Sequence, residues 1–251
     1  MEQQNYQYQD PNVIVLEEGA VSKKFFATVF LWMFIALGLS TFSAWLFGAN
    51  DSLTQYLLIE KSNGATGLSL FGWLVMLAPL GLVLTMSFGL SRLSYPALLG
   101  LFILYAALTG VSLSFIILSY TPGSIVACFA SAAAIFGIMA FLGYTTDVDL
   151  TKFGPILMVG VVGLIIASLI NMFIGSSTFD YLISFLGVAI FTALTAYDVQ
   201  KIKQIGQGIE SNGEEALQID AKKTSIIAAL RLYLDFLNIF LFLLRLFGQR
   251  K

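Results

Sequence analysis

The chain has no histidine and a single cysteine, Cys128, so two common sources of site chemistry are missing. Without imidazole there is no histidine base, proton relay or metal ligand, and any proton-sensing group must be a carboxylate. One cysteine can form neither an intrachain disulfide nor a thiol pair for metal or redox chemistry. We therefore interpret Cys128, which lies in an apolar run, as a packing residue.

Charge is scarce as well. Only 11% of the 251 residues are charged, 58% are hydrophobic, and the mean hydropathy is +0.86. A water-soluble domain of this size could not hide so much apolar surface, so lipid must be the solvent for most of the chain. The net charge of −2 and the pI near 5.1 provide no basic footprint. Nucleic-acid binding is therefore not expected.

Long apolar runs predict an all-α integral membrane protein with seven transmembrane helices. A span needs about 20 mostly apolar residues, and the short alternating segments typical of a membrane barrel are absent. Residues 1–22 are predicted to be a retained polar tail, because the first apolar run is too long for a signal peptide and lacks a cleavage pattern. Residues 23–251 form the transmembrane domain. Its predicted spans are 25–47, 68–90, 97–119, 123–143, 156–175, 180–198 and 224–247.

Two connections are long, 48–67 and 199–223, and neither is large enough to fold alone. Because successive spans alternate in direction, most positive charges fall on the side of the amino terminus, which the positive-inside rule assigns to the cytoplasm. The carboxyl-terminal charges fit this rule poorly, so a re-entrant last segment is the competing topology. The amino-terminal side carries Lys23, Lys24, Arg92, Lys152, Lys201, Lys203, Lys222 and Lys223, against Lys61, Arg250 and Lys251 on the other.

The last span carries polar residues where exposure to lipid would be costly. Arg231 to Asp235 is i,i+4, Asp235 to Asn238 is i,i+3, and Asn238 to Arg245 is i,i+7. These spacings place all four side chains on one stripe of a helix. A mid-span charge costs at least about 2.5–3.5 kcal/mol on insertion scales, so the stripe must face protein. We therefore expect the last helix at the centre of the bundle.

The sixth span adds a second acid, Asp198, near its cytoplasmic end. Alternative interpretations stay open at this point: Arg231 and Asp235 pair locally with each other, and Asp198 is a solvated helix terminus. The third interpretation is that Asp198 and Asp235, on consecutive antiparallel helices, approach each other. Two neighbouring carboxyl groups titrate as a coupled pair, which makes them a pH sensor. When ionised they could hold Ca²⁺ transiently, in competition with protons.

The runs TALTAYDVQKIK and LRLYLDFLNIFLFLLRLFG resemble the signature of the Bax inhibitor-1 family, also called the transmembrane Bax inhibitor motif family. The chain is similar to its bacterial YccA-like branch over roughly residues 25–248, including the segment YAALTGVSLS. The resemblance implies a fold in which the last helix is wrapped by the other six. It also implies a pH-sensitive calcium leak, in a multi-pass protein of the bacterial inner membrane.

The family resemblance further implies roles for individual residues. Asp198 of the YD pair and Asp235 of the LYLDF motif correspond to the pH-sensing aspartates, which would also hold Ca²⁺ transiently. Arg92 in GLSRLSYP matches the arginine that latches onto the first aspartate in the closed state, although it could equally be an ordinary topology determinant. Some members carry an acid in the second span that meets the arginine near the end of the last span. Residues 68–90 have no such acid, which leaves Arg245 without that partner.

Other functions fit the sequence less well, and no enzymatic activity or cofactor is predicted. An intramembrane aspartyl protease would need a Gly-x-Gly-Asp motif where this chain has LYLD. A serine-type intramembrane protease needs histidine, and a retinal protein needs a lysine in the last span. The alternative that stays open is a non-conducting regulatory protein that binds a membrane protease or a stress or cell-death partner. The expected partners are otherwise the lipid bilayer, calcium ions and protons.

Overall fold

The structure is a computed structural model that describes residues 19–60, 66–211 and 218–251. It is an all-α membrane protein, as predicted, and seven of the helices in these ranges are long and apolar enough to span a bilayer. The helices are α1 Ala20–Gly48, α2 Asp51–Leu57, α3 Leu70–Gly89, α4 Tyr95–Ser119, α5 Pro122–Thr145, α6 Gly154–Ile174, α7 Ser177–Ser211 and α8 Gln218–Phe247. A 3₁₀ turn, Leu150–Phe153, precedes α6, and two strands, β1 Leu58–Glu60 and β2 Thr66–Leu68, pair antiparallel.

Local sequence signals explain where several of these helices begin and end. The helices α4, α5 and α6 each have a proline in their first turn, where the missing N–H would be unpaired anyway. The side chain of Ser69 caps α3 by accepting a hydrogen bond from the amide of Gly72. Gly175, with a φ of 68°, terminates α6 in the left-handed conformation that glycine adopts without strain.

The last helix is the centre of the bundle. Of its most apolar stretch, 72% is buried, against 6% for the corresponding stretch of α6, so these two helices are the inner and outer extremes. Helix α8 packs directly against α1, α4, α5 and α7, while α3 packs on α4, and α6 packs on α7. The predicted wrapping of the last helix by the other six is therefore achieved in two layers.

The bundle has two ends, which we name after a residue at each. At the end that we call the Gly19 end, the amide of Gly19 donates to Oε1 of Glu210 over 2.6 Å, which joins the start of α1 to the end of α7. At the opposite Tyr120 end, the segment after α8 pairs with the turn between α4 and α5 through an isolated bridge between Tyr120 and Arg250. Helix α8 is continuous between these ends, so the re-entrant alternative is not the observed topology.

The predicted connections differ most from the structure. A linker starting at 199 is wrong, because α7 continues to Ser211. Residues 199–211 are too polar to be read as a span, but Val199, Ile202 and Ile209 recur at helical spacing and turn towards the bundle. The connection 48–67 contains α2 and the β1–β2 pair. Residues 1–18, 61–65, which include Lys61, and 212–217 lie outside the described residues. Helix α1 begins at Ala20, inside the predicted tail.

Candidate functional site: the aspartate pair between the last two helices

The candidate site lies where α7 and α8 cross the bundle side by side in opposite directions. Asp198 is 7% exposed and Asp235 is 4% exposed, so both acids are buried within spans. Their carboxyl groups face each other closely enough to share a hydrogen bond. Oδ2 of Asp235 is buried and has no hydrogen-bond partner in the described part of the chain.

Two cations act on this pair: Lys201 of α7 acts on Asp198, and the stronger of the two is Arg231 of α8. Its Nη1 atom lies 3.8 Å from Oδ1 of Asp198, and its charge also acts on Asp235. The Arg231 side chain is 49% exposed while that of Asp198 is only 10% exposed, so the arginine covers the outer side of the pair. The interpretation of a local ion pair within α8 is not what the structure has: Arg231 reaches across to α7 instead.

Arg92 does not take part in the site. It is exposed in the turn after α3 at the Gly19 end. Two ion pairs occur among residues 19–60, 66–211 and 218–251, and Arg92 belongs to neither. The physical reason is its level along the bundle. The end of α3 lies beside Asp220 and Lys223 at the start of α8, whereas Asp198 lies level with Arg231, about two turns further along that helix. The predicted Arg92–Asp198 latch is therefore absent from this conformation.

Of the remaining polar residues of the predicted stripe, Asn238 bonds within α8 and Arg245 contacts α7. Asn238 donates from Nδ2 to the carbonyl of Leu234 over 2.8 Å, which satisfies part of its amide within its own helix. Nη1 of Arg245 lies 4.0 Å from Oδ1 of Asp180, in the first turn of α7. Arg245 thus has an acidic neighbour, but on the sixth span and not on the second. The sequence contained a signal for this neighbour. Because α7 and α8 are antiparallel, an acid at the start of α7 lies beside a residue at the end of α8.

Gln200 is a residue that the sequence reasoning missed. Its side chain donates to the carbonyl of Val148 and accepts from the amide of Leu150, both over 2.8 Å. These two bonds hold the loop between α5 and α6 against α7, two residues from Asp198. In that loop, hydrogen bonds from Thr151 lower the pKa of Asp149, which lies outside the spans.

The donor set argues against a tightly held metal. Within the described ranges no group of three or more histidine, cysteine, aspartate or glutamate residues could hold a metal ion. Two carboxyl groups provide oxygen ligands that suit Ca²⁺, but they are far fewer than the six to eight ligands of a stable calcium site. The pair by itself therefore does not have the donor set of a stable calcium site.

Comparison with known proteins places this architecture in a family. The model of the family described as "Inhibitor of apoptosis-promoting Bax1" matches residues 22–251. The chain belongs to the Bax inhibitor-1 family. The match covers all seven spans and the aspartate pair, as the sequence resemblance predicted.

Relatives extend over nearly the whole chain. The inner membrane protein YbhL of Escherichia coli K12 is 38% identical over 237 residues, which cover 94% of this chain and 96% of that protein. An uncharacterized protein of Borreliella burgdorferi is 42% identical over 235 residues, with coverage of 94% and 96%. An uncharacterized protein of Rickettsia prowazekii is 43% identical over 181 residues, covering 72% of this chain and 74% of its own.

Proposed function

We propose that this protein is a pH-sensitive calcium leak channel controlled by Asp198 and Asp235. The observation that carries the proposal is the burial of two facing carboxyl groups inside the bundle, with a single arginine beside them. Charged groups in a span are costly and therefore mark ion or proton pathways more often than structural contacts. No enzymatic step and no resident cofactor are part of the proposal.

Calcium suits the chemistry of this pair. Hard cations prefer carboxylate oxygens, and conduction requires binding that is strong enough for entry but weak enough for release. Two carboxylates with few further oxygen ligands meet that condition. A proton on either carboxyl group removes a negative charge from the site, so protons and calcium compete for it.

Protonation also changes the contact between the helices. Asp198 belongs to α7, while Arg231 and Asp235 belong to α8, so the charge state of the pair alters the attraction between these two helices. Coupled carboxyl groups take up their protons in two steps that belong to the pair and not to either residue alone. A change in pH would thereby act directly on the α7–α8 contact, which is the element that we propose opens and closes.

We further propose that the protein resides in an inner membrane with its Gly19 end in the cytoplasm. The Escherichia coli relative is named an inner membrane protein. Among the described residues, the Gly19 end carries most of the lysines and arginines, and the positive-inside rule assigns that end to the cytoplasm. The exceptions at the Tyr120 end are Arg245, Arg250 and Lys251.

The test is calcium flux into vesicles that contain the purified protein and a calcium-sensitive dye, measured over a series of pH values. We expect a flux that changes with pH in the unaltered protein. In Asp198→Asn and Asp235→Asn the pH response should be lost. Asp149→Asn, which neutralises an exposed loop acid outside the spans, is the matched control and should behave like the unaltered protein. If both site variants keep the flux and its pH response, the aspartate pair is not the sensor.

A regulatory role without conduction is the second candidate. The family's description as an inhibitor of an apoptosis-promoting protein favours it, as does the wide apolar surface of α6, which could seat another membrane protein. The partner would be a membrane protease or a stress or cell-death protein. If folded protein passes no calcium at any pH, this second function takes precedence, and crosslinking from α6 in native membranes would be the next measurement.

A further inference from the structure

The facing surfaces of α7 and α8 carry polar side chains well beyond the aspartate pair. We call this surface the polar seam. Its α7 members recur at spacings of three, four or eleven residues, and its α8 members at three, four or seven, so each set lies on one helical face. On α7 they are Asp180, Ser184, Thr195 and Asp198, and on α8 they are Arg231, Asp235, Asn238 and Arg245.

The polar seam is long enough to cross the membrane. Asp180 and Asp198 are 18 residues apart in one helix, a rise of about 27 Å. The hydrocarbon core of a bilayer is about 30 Å thick. Ion pairs lie at both ends of the seam, Arg231–Asp198 towards the Gly19 end and Arg245–Asp180 towards the Tyr120 end.

Two buried oxygens on the seam have no partner. Ser184 is 1% exposed, and its Oγ, like Oδ2 of Asp235, has no hydrogen-bond partner within the described ranges. A serine in a helix can bond back to a carbonyl of its own helix, as Thr195 does with Phe191 over 2.8 Å, but Ser184 does not. Buried polar atoms of this kind are usually satisfied by water, and a wet seam would satisfy both oxygens.

One aromatic contact interrupts the seam between these two oxygens. The Phe242 ring lies over Gly187, where an added Cβ would come within 2.5 Å of the ring. The Phe191 ring lies 6.0 Å from the Phe242 ring, centroid to centroid. We call Phe191 and Phe242 the aromatic plug. Glycine at 187 leaves the space that the ring fills, so the plug closes the seam without pushing the helices apart.

We propose that the polar seam is the route by which water and a small cation cross the bundle, and that the aromatic plug is its barrier. This inference rests on the proposed calcium leak and specifies where the leak runs. A ring-sized apolar constriction keeps out water, and hence ions, until the ring moves. The guanidinium of Arg245 lies 5.6 Å from the centre of the Phe242 ring, so the charged pair at the Tyr120 end also holds the barrier in position.

The first test compares two phenylalanines of the same helix. Phe242→Ala removes one ring of the plug, whereas Phe240→Ala removes a ring that is also buried but packs against Phe129 of α5, away from the seam. Calcium flux in vesicles should rise several-fold in Phe242→Ala and stay near the unaltered level in Phe240→Ala. Thermal unfolding of both variants establishes that they are folded and comparably stable.

The second test does not depend on calcium. Ser184→Cys is introduced into a Cys128→Ala background, and the protein in nanodiscs is exposed to a membrane-impermeant thiol reagent. The added thiol should react slowly when Phe242 is present and several-fold faster with Phe242→Ala. The control is Leu186→Cys. Leu186 is 45% exposed and lies on the lipid-facing side of α7, so a cysteine there should stay unreactive in both backgrounds.

The outcomes separate the two proposals. If Phe242→Ala changes neither the flux relative to Phe240→Ala nor the reactivity at 184, the seam is not the route. If no variant passes calcium, the proposed leak fails. In that case faster labelling at 184 in Phe242→Ala would still support a wet seam behind an aromatic plug, and unchanged labelling would overturn it.

Discussion

The two ends of the α7–α8 contact carry the same kind of ion pair in different surroundings. Arg231–Asp198 and Arg245–Asp180 have nearly equal separations of 3.8 Å and 4.0 Å, and both arginines are about half exposed. The acids differ: the Asp198 side chain is 10% exposed and that of Asp180 is 41% exposed. Distance therefore does not distinguish the two pairs, whereas burial of the carboxylate does.

This difference has an energetic meaning. An ion pair in contact with solvent contributes about 0–1 kcal/mol, because both charges are already well solvated apart. Removing one partner of a buried pair costs about 3–5 kcal/mol, because the other charge stays buried without compensation. The Gly19 half of the seam, with Asp235 beside Asp198, is thus the half where charge controls the fold. In the Tyr120 half, the fold depends instead on the packing of Phe242 against Gly187.

The largest loss in the free energy of unfolding is expected where helices approach most closely. Glycine-to-alanine substitutions compare this approach in the two halves of the seam. A Cβ on Gly143 of α5 would overlap the backbone of Ala196 in the Gly19 half, and a backbone cannot swing aside. At Gly187 the added Cβ would meet the Phe242 ring, which can rotate. Gly143→Ala should lower the free energy of unfolding by about 1–3 kcal/mol through overpacking, and Gly187→Ala by less.

Thermal unfolding in detergent micelles measures this ranking, with Gly163→Ala as the control because no atom lies within 4 Å of its added Cβ. Gly163→Ala should leave Tm unchanged or raise it slightly, since alanine favours the helix. An equal Tm for Gly143→Ala and Gly163→Ala would contradict the close backbone contact between α5 and α7.

Hydropathy and periodicity predicted most of this fold. Seven apolar runs were enough for the spans, and the stripe through Asp235 on the last span predicted that this helix is central. The extension of α7 to Ser211 was missed because hydropathy detects lipid contact, whereas residues 199–211 pack on protein with only one face. The short helix α2 and the β1–β2 pair were missed because local hydrogen bonds, not apolar burial, define them.

The sequence predicted which acids belong to the site, but it did not predict how the arginine beside them is paired. Burial cost identifies Asp235 from the sequence, since few charges lie in the spans. Asp198, near the end of its span, could also be a solvated helix terminus, and the family resemblance was what pointed to it. The pairing of Arg231 with Asp198 across the two helices, and not with Asp235 of its own helix, depends on the register between the helices and on the direction of a long side chain, which one helical stripe does not contain. The same applies to Phe242, an ordinary apolar residue until Gly187 is known to face it.

Replacement of Arg231 is expected to have an intermediate effect on the free energy of unfolding. Arg231→Gln removes the stronger of the two cations near Asp198 and Asp235 and leaves Lys201. Because the arginine is half exposed, the loss in the free energy of unfolding should be about 1–2 kcal/mol, between the values for exposed and buried pairs. The loss should be larger at high pH than at low pH, because an ionised carboxyl group needs a countercharge and a protonated one does not. Unfolding at the two pH values, with Arg231→Lys as the charge-preserving control, measures it. A pH-independent loss equal in Gln and Lys would assign Arg231 a packing role only.

The smallest effect is expected at the Tyr120 end. Arg245→Gln should change the free energy of unfolding by no more than about 0.5 kcal/mol, because Asp180 stays hydrated when its partner is removed. A double-mutant cycle with Asp180→Asn isolates the pair from the contact of Arg245 with the Phe242 ring. A coupling as large as that between Arg231 and Asp198 would mean that Asp180 is shielded from water in the membrane, and the two ends of the seam would then be equivalent.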